Sequence, residues 1–209
     1  MFDPPSPLIE NYLREAGFWH AATIGREVQV GLETHQRVNR EVDGSTLTGS
    51  AQPADWGAIC YDLLGAILDN IYGGRIKMGW LRDTFLELEN NSTEVERIRY
   101  APAYILEMIE GYLMPDLSRN LVHLRWLLKL IDFRAANELS WGSTILATLY
   151  REMCKVTPPN KAKIGGCLSL LQSGVQFHFP FLCTRVNHPY TFSLITSFNG
   201  HHMRIRQYE

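Results

Sequence analysis

Apolar side chains recur at helical spacing along most of this 209-residue chain. Ser6 can cap a first helix with Pro7 in its opening turn, and Leu8, Ile9, Tyr12, Leu13 and Ala16 form one stripe before Gly17 stops it. From Asp55 onward, Trp56, Ile59, Cys60, Leu63, Leu64 and Ile67 repeat the spacing. In "RIKMGWLRDTF", residues 75–85, Trp80, Leu81, Thr84 and Phe85 continue to Leu88 on one side. The pattern predicts a helix start there, with Arg75, Lys77, Arg82 and Asp83 on its flank or solvent side and Asp83 available to pair with a cation.

Thr93 followed by Glu96 reads as a capping box, each side chain satisfying a backbone N–H at a helix start. Val95, Ile98, Tyr104, Ile105, Met108, Ile109, Tyr112 and Leu113 form the stripe that follows. Pro102 falls inside it and is expected to kink or split the helix. An apolar segment, "LVHLRWLLKLIDF", occupies residues 121–133, and Ser140 can cap the next helix, with Trp141, Ile145 and Leu149 on one face. After the loop "TPPNKAK", a last helix would carry Ile164, Cys167, Leu168, Leu171 and Val175.

Two regions read otherwise. Residues 27–50 alternate weakly around Asp43-Gly44, a hairpin turn signal, and the end alternates through Tyr190, Phe192 and Leu194. The expected fold is mainly α: a single helical domain over residues 1–198 with one or two short, marginal β-hairpins, then a polar tail over 199–209.

Composition fits a globular chain: 45% hydrophobic and 20% charged residues allow a real core. A formal net charge of -2 supplies no global field to draw the chain onto nucleic acid or an anionic membrane. The N-terminal stretch has prolines and acids where a signal peptide needs a basic start and an apolar run, and no apolar run approaches membrane-spanning length. Cys60, Cys154, Cys167 and Cys183 lie far apart, which reads as reduced thiols in a soluble intracellular protein.

Catalytic chemistry finds little purchase. There is no P-loop, no G-x-G-x-x-G and no G-x-S-x-G elbow. "IGGCL" at 164–168 sets two glycines before a helix, either to meet phosphate with backbone N–H groups or to permit close packing. Cys167, His178, Cys183 and His188 are zinc-type ligands, but their spacing matches no common finger, and buried cysteines often serve as small core residues. His201-His202 near the end is weaker still. The pairs Glu107/Glu110 and Glu94/Glu96 are placed on exposed helical flanks, where solvation and capping account for them. Arg75, Lys77 and Arg82 with Trp80 could contact a phosphate backbone and stack on a base; the periodicity instead sends Trp80 to the core. On the residues alone, no catalytic site, cofactor or metal is expected.

Several blocks in order resemble a known family. "LREAGF", "RIKMGWLRDTF", "YAPAYILEMIEGYLMPDLSRNLVHLRWL", "SWGSTILATLYREMCKVT", "IGGCLSLLQ" and "RVNHPYTF" are similar to the plant mobile domain family, also labelled aminotransferase-like plant mobile domain, which includes maintenance-of-meristems proteins and long-form homologues of phosphatase seven. The resemblance implies a helical, transposon-derived domain acting without catalysis in a nuclear complex. Gene silencing, gene expression and meristem maintenance are the implied roles, with a phosphatase-like relative among its protein partners and no membrane. In that reading Trp80, Phe85, Trp126 and Trp141 anchor the core, while Arg75, Lys77, Arg82 and Asp83 supply an interaction surface or an internal ion pair. Residues 31–49 keep the edges of a longer family segment and lack its middle, consistent with an internal deletion. Two alternatives stay open: direct nucleic-acid binding, and a degenerate copy without function.

Overall fold

The computed structural model describes residues 4–24, 55–67, 71–117, 120–157 and 163–172. The Ser6 hydroxyl accepts the Leu8 N–H at 3.3 Å, and Pro7 opens a 3-10 turn, Pro7–Ile9, that runs into α1 (Glu10–Glu15). A turn at Gly17 leads to α2 (Trp19–Ile24). Asp55 caps α3 (Trp56–Leu64) by accepting the N–H groups of Gly57 and Ala58 at 3.1 and 3.2 Å. Gly65 ends that helix at φ 71°, a left-handed conformation that favours glycine, with the Arg99 side chain lying over it.

Strand β1 (Arg75–Lys77) passes directly into α4 (Met78–Thr84). The predicted capping box is formed: Thr93 Oγ1 accepts the Glu96 N–H at 3.3 Å, and Glu96 Oε2 accepts the Thr93 N–H at 2.7 Å. It starts α5 (Glu94–Met108), which continues as a π-helical turn, Ile109–Leu113, whose end is closed by the Met114 N–H on the Ile109 carbonyl at 2.6 Å. Strand β2 (Leu121–His123) follows, then a 3-10 segment, Leu124–Lys129, α6 (Phe133–Asn137) and α7 (Trp141–Lys155). The strands pair antiparallel with Arg75 opposite His123, Ile76 opposite Val122 and Lys77 opposite Leu121.

Helix α5 is the axis of the core. From Ala101 to Leu106 every residue is buried, and α1, α3, α4 and β2 all pack on it. Ile9 and Leu13 cover it from one side; Leu81, Val122, Leu124 and Leu127 close others. Phe18 meets Trp141 edge-on at 4.8 Å, and Trp141 packs on Trp126 at 5.8 Å, which ties the N-terminal helices to α7.

The mainly helical class with a marginal strand pair is what the structure shows, but several local expectations are corrected. Pro102 neither ends nor divides α5; it is buried within a continuous helix. An interior proline costs ~3 kcal/mol, whereas each fully buried Ile or Leu contributes about 1.5–3 kcal/mol, so the apolar residues around it outweigh the lost hydrogen bond. Ile67 is 76% exposed because the helix has already ended at Gly65. Val95 and Ile98 are exposed because the first turns of α5 project beyond the core. Ser140 precedes α7, yet its hydroxyl meets the Ser143 hydroxyl at 2.7 Å and makes no cap to a backbone N–H. The observed strands were not foreseen; the segments expected to form them, 27–50 and around 190–194, lie outside the described residues, as do the shortening near 31–49 and the tail 199–209.

Candidate interaction surface

Where α3 ends, the 84–93 connection and the first turns of α5 leave an open groove of about 590 Å³. Its apolar floor uses Leu64, Phe85, Leu88 and Tyr100. Phe85 is held from both sides, edge-on to Trp80 and to Tyr100, each at 6.4 Å. Leu86, 73% exposed, stands at the rim. Glu87, Glu89 and Glu96 edge the groove against a single guanidinium, Arg99, so its charge is predominantly negative. The Thr93 N–H bonded to Glu96 holds that carboxyl below its usual range, keeping it charged. The signal was present in the sequence as the alternation of Leu86 and Leu88 with Glu87 and Glu89, a pattern easily passed over between two helices.

The four charged residues expected to supply an interaction surface or an internal ion pair make separate contacts. Arg75 lies half-buried in β1, and Lys77 is exposed, its ammonium 6.0 Å from the Tyr72 ring. Arg82 pairs with Glu107 of α5 at 2.5 Å rather than with Asp83, which is exposed on α4. Of the expected core anchors, Trp126 and Trp141 are buried, while Trp80 and Phe85 are partly buried at the core's edge.

The expected exposure of Glu110 is overturned. It is 3% exposed within the π turn, and its Oε1 accepts the Trp126 indole N–H at 3.0 Å and the His123 backbone N–H at 3.2 Å. Burial pushes its carboxyl up to about 7, against the pull of those two donors. Glu107 is half-buried against Arg82, and Glu94 accepts the Tyr12 hydroxyl.

Gly165 and Gly166 have a packing explanation. A Cβ on Gly165 would lie 2.8 Å from the Pro115 carbonyl, and one on Gly166, at φ 84°, would lie 3.1 Å from Leu149 Cα. The Gly166 N–H is already bonded to Pro115 at 2.8 Å. Cys167 is buried, and its supposed zinc companions His178, Cys183 and His188 lie outside the described residues. Among the described residues no group of three or more His, Cys, Asp or Glu could hold a metal ion.

Among the described residues these observations define a mainly helical domain with one antiparallel strand pair, and no described helix is long and apolar enough to cross a membrane. The chain belongs to the plant mobile domain family, whose model matches residues 39–208. It is 34% identical over 168 residues to a serine/threonine-protein phosphatase 7 long form homolog of Arabidopsis thaliana, covering 79% of this chain and 12% of the relative. It is 28% identical over 176 residues to the Arabidopsis thaliana protein MAINTENANCE OF MERISTEMS, covering 83% of this chain and 36% of the relative. To Protein MAIN-LIKE 2 of Arabidopsis thaliana it is 30% identical over 176 residues, covering 83% and 26%. The chain thus spans about a third or less of these relatives. No solved structure matches it significantly.

Proposed function

We propose that this chain is a non-enzymatic protein-interaction module that works in a nuclear complex, in a role tied to meristem maintenance, gene expression and transposon silencing. Family membership supports the setting, since one relative is named for meristem maintenance. The groove carries the interaction reading: an aromatic floor braced by Trp80, with a rim of Glu87, Glu89 and Glu96. A binding surface of this kind takes its energy from an apolar side chain seated among aromatics and its selectivity from the charged rim. The matching occupant is a basic protein segment bearing an apolar anchor. A phosphatase-like member of the same family is the partner class we place first.

The test is affinity capture from plant nuclei with the tagged chain beside a Leu86→Lys variant, whose change sits on an exposed side chain. A reproducible set of nuclear proteins lost by the variant, with basic segments cross-linked to the groove, supports the reading. Equal recovery by both forms, or exclusion of the tagged chain from nuclei, refutes it.

A further inference from the structure

The groove sets two demands on whatever fills it: apolar side chains for its floor and cations for its rim. Leu64, Phe85, Leu88 and Tyr100 form the floor. Glu87, Glu89 and Glu96 stand exposed around it, and the one guanidinium in the lining, Arg99, lies over Gly65 at the end of α3.

The chain carries a segment that answers both demands. Residues 200–206 read GHHMRIR: Met203 and Ile205 alternate with Arg204 and Arg206, and no acid follows before Glu209. Laid out extended, alternate side chains fall on opposite faces, which gives the two apolar side chains one face and the two arginines the other. An apolar face suits an aromatic floor, and arginine forks suit carboxylates. Outside the described residues one other arginine pair lies close in sequence, Arg37 and Arg40, but Glu33, Glu41 and Asp43 crowd it with the wrong charge.

Reach does not limit the contact. The 30 residues from Ser173 to His202 join this segment to the last described residue. Extended, a connection of that length spans up to ~100 Å, against a radius of gyration of about 17 Å for a domain of this size. A segment tethered to its own site meets it at an effective concentration on the order of 1 mM, so a contact of only ~0.1 mM affinity fills the groove about nine-tenths of the time. Charge complementarity has little to add before such a contact is occupied. We propose that Met203 to Arg206 dock in the groove of their own chain and compete there with a partner's basic segment, which rests on the groove being the binding surface proposed above.

The experiment places the photo-cross-linker benzoylphenylalanine at Ile205 of the full chain, irradiates it in dilute solution and maps the products by mass spectrometry. Cross-links within one chain to Leu64, Phe85, Leu88 or Tyr100 are expected, and their yield should fall at high salt as the rim is screened. A second measurement needs no cross-linker. A synthetic peptide of residues 200–209, added to the chain carrying Arg204→Glu and Arg206→Glu, should bind about tenfold more tightly than to the wild type, because the reversed segment no longer occupies the groove. Adding Leu86→Lys to the reversed chain should abolish that binding. Cross-links outside the groove, or equal binding of the peptide by both chains, overturn the proposal. Cross-links between two chains also overturn it and assign the groove to a second copy. If self-docking fails while Leu86→Lys still loses nuclear proteins, the groove remains the partner surface without it. If Ile205 cross-links to the groove while Leu86→Lys captures the same nuclear proteins as the wild type, the docking stands and the partner reading is the one refuted.

Discussion

The indole N–H of Trp126 donates a 3.0 Å hydrogen bond to Glu110, a carboxyl only 3% exposed at the end of the central helix. One bond joins the π turn after α5 to the segment after β2, and the His123 N–H adds a second donor to the same oxygen. A buried carboxyl held this way is a specific fastening, and its charge state couples the fold to pH.

Glu110 titrates at about 7 in the folded chain, above an ordinary value of 4.5. The folded state therefore binds more protons than the unfolded state between those limits, and this group's contribution falls as pH rises through them. His123 works in the opposite sense. Its folded value of about 4 lies below 6.5, so its contribution grows as pH rises across that window. The two offset each other between pH 4.5 and 6.5 and cease to do so above it. Glu110→Gln mimics the protonated acid at every pH. Urea unfolding from pH 5 to 8 should show the variant gaining on the wild type by roughly 2–3 kcal/mol. A difference that stays constant with pH would contradict this.

Trp126→Phe keeps most of the ring that packs on Trp141 and removes the donor to Glu110. The carboxyl then retains the His123 N–H alone in a dry setting. We expect a loss of about 1–3 kcal/mol at pH 8, where the group is charged, and a smaller loss at pH 5. Equilibrium unfolding at the two pH values checks both the size and the asymmetry.

Legibility followed range. The Thr93–Glu96 box and the Ile105, Met108 and Ile109 stripe could be read because a cap and a helical face are set by residues three or four apart. The pairing of Arg75–Lys77 with Leu121–His123 could not, since three residues are too few for alternation and the partner is remote in sequence. Glu110 was misplaced for a different reason. Carboxylates default to solvent, and a helix buried on nearly all sides offers no polar face from which to infer an exception. Of the candidate site, the strong aromatics Trp80 and Phe85 were visible as packing residues, but the groove beside them depends on how the 84–93 connection lies across α3 and α5.

Gly165→Ala should be costly although both residues are small. The added methyl would lie 2.8 Å from the Pro115 carbonyl and 3.2 Å from the Glu152 carboxylate, and the first of these is backbone. Overpacking of this kind costs typically 1–3 kcal/mol. Gly111→Ala is the control, since its nearest neighbour is the Met78 methyl at 3.9 Å and a helical alanine is favoured over glycine. Thermal unfolding should place the first variant below the wild type and the second at or above it.

The thiols separate by environment in the same way. Cys60 is fully buried on α3, and burial pushes its thiol up to about 11, so almost none is thiolate at pH 8. Cys154 is exposed on α7. Alkylation requires both access and thiolate, and Cys60 has neither without local opening. Iodoacetamide at pH 8, read residue by residue by mass spectrometry, should modify Cys154 at least ~tenfold faster than Cys60. Adding urea to the unfolding midpoint should erase most of that ratio, since the unfolded chain exposes both thiols. Equal rates in the native chain would mean that the α3–α5 packing is open in solution, and with it the wall of the groove.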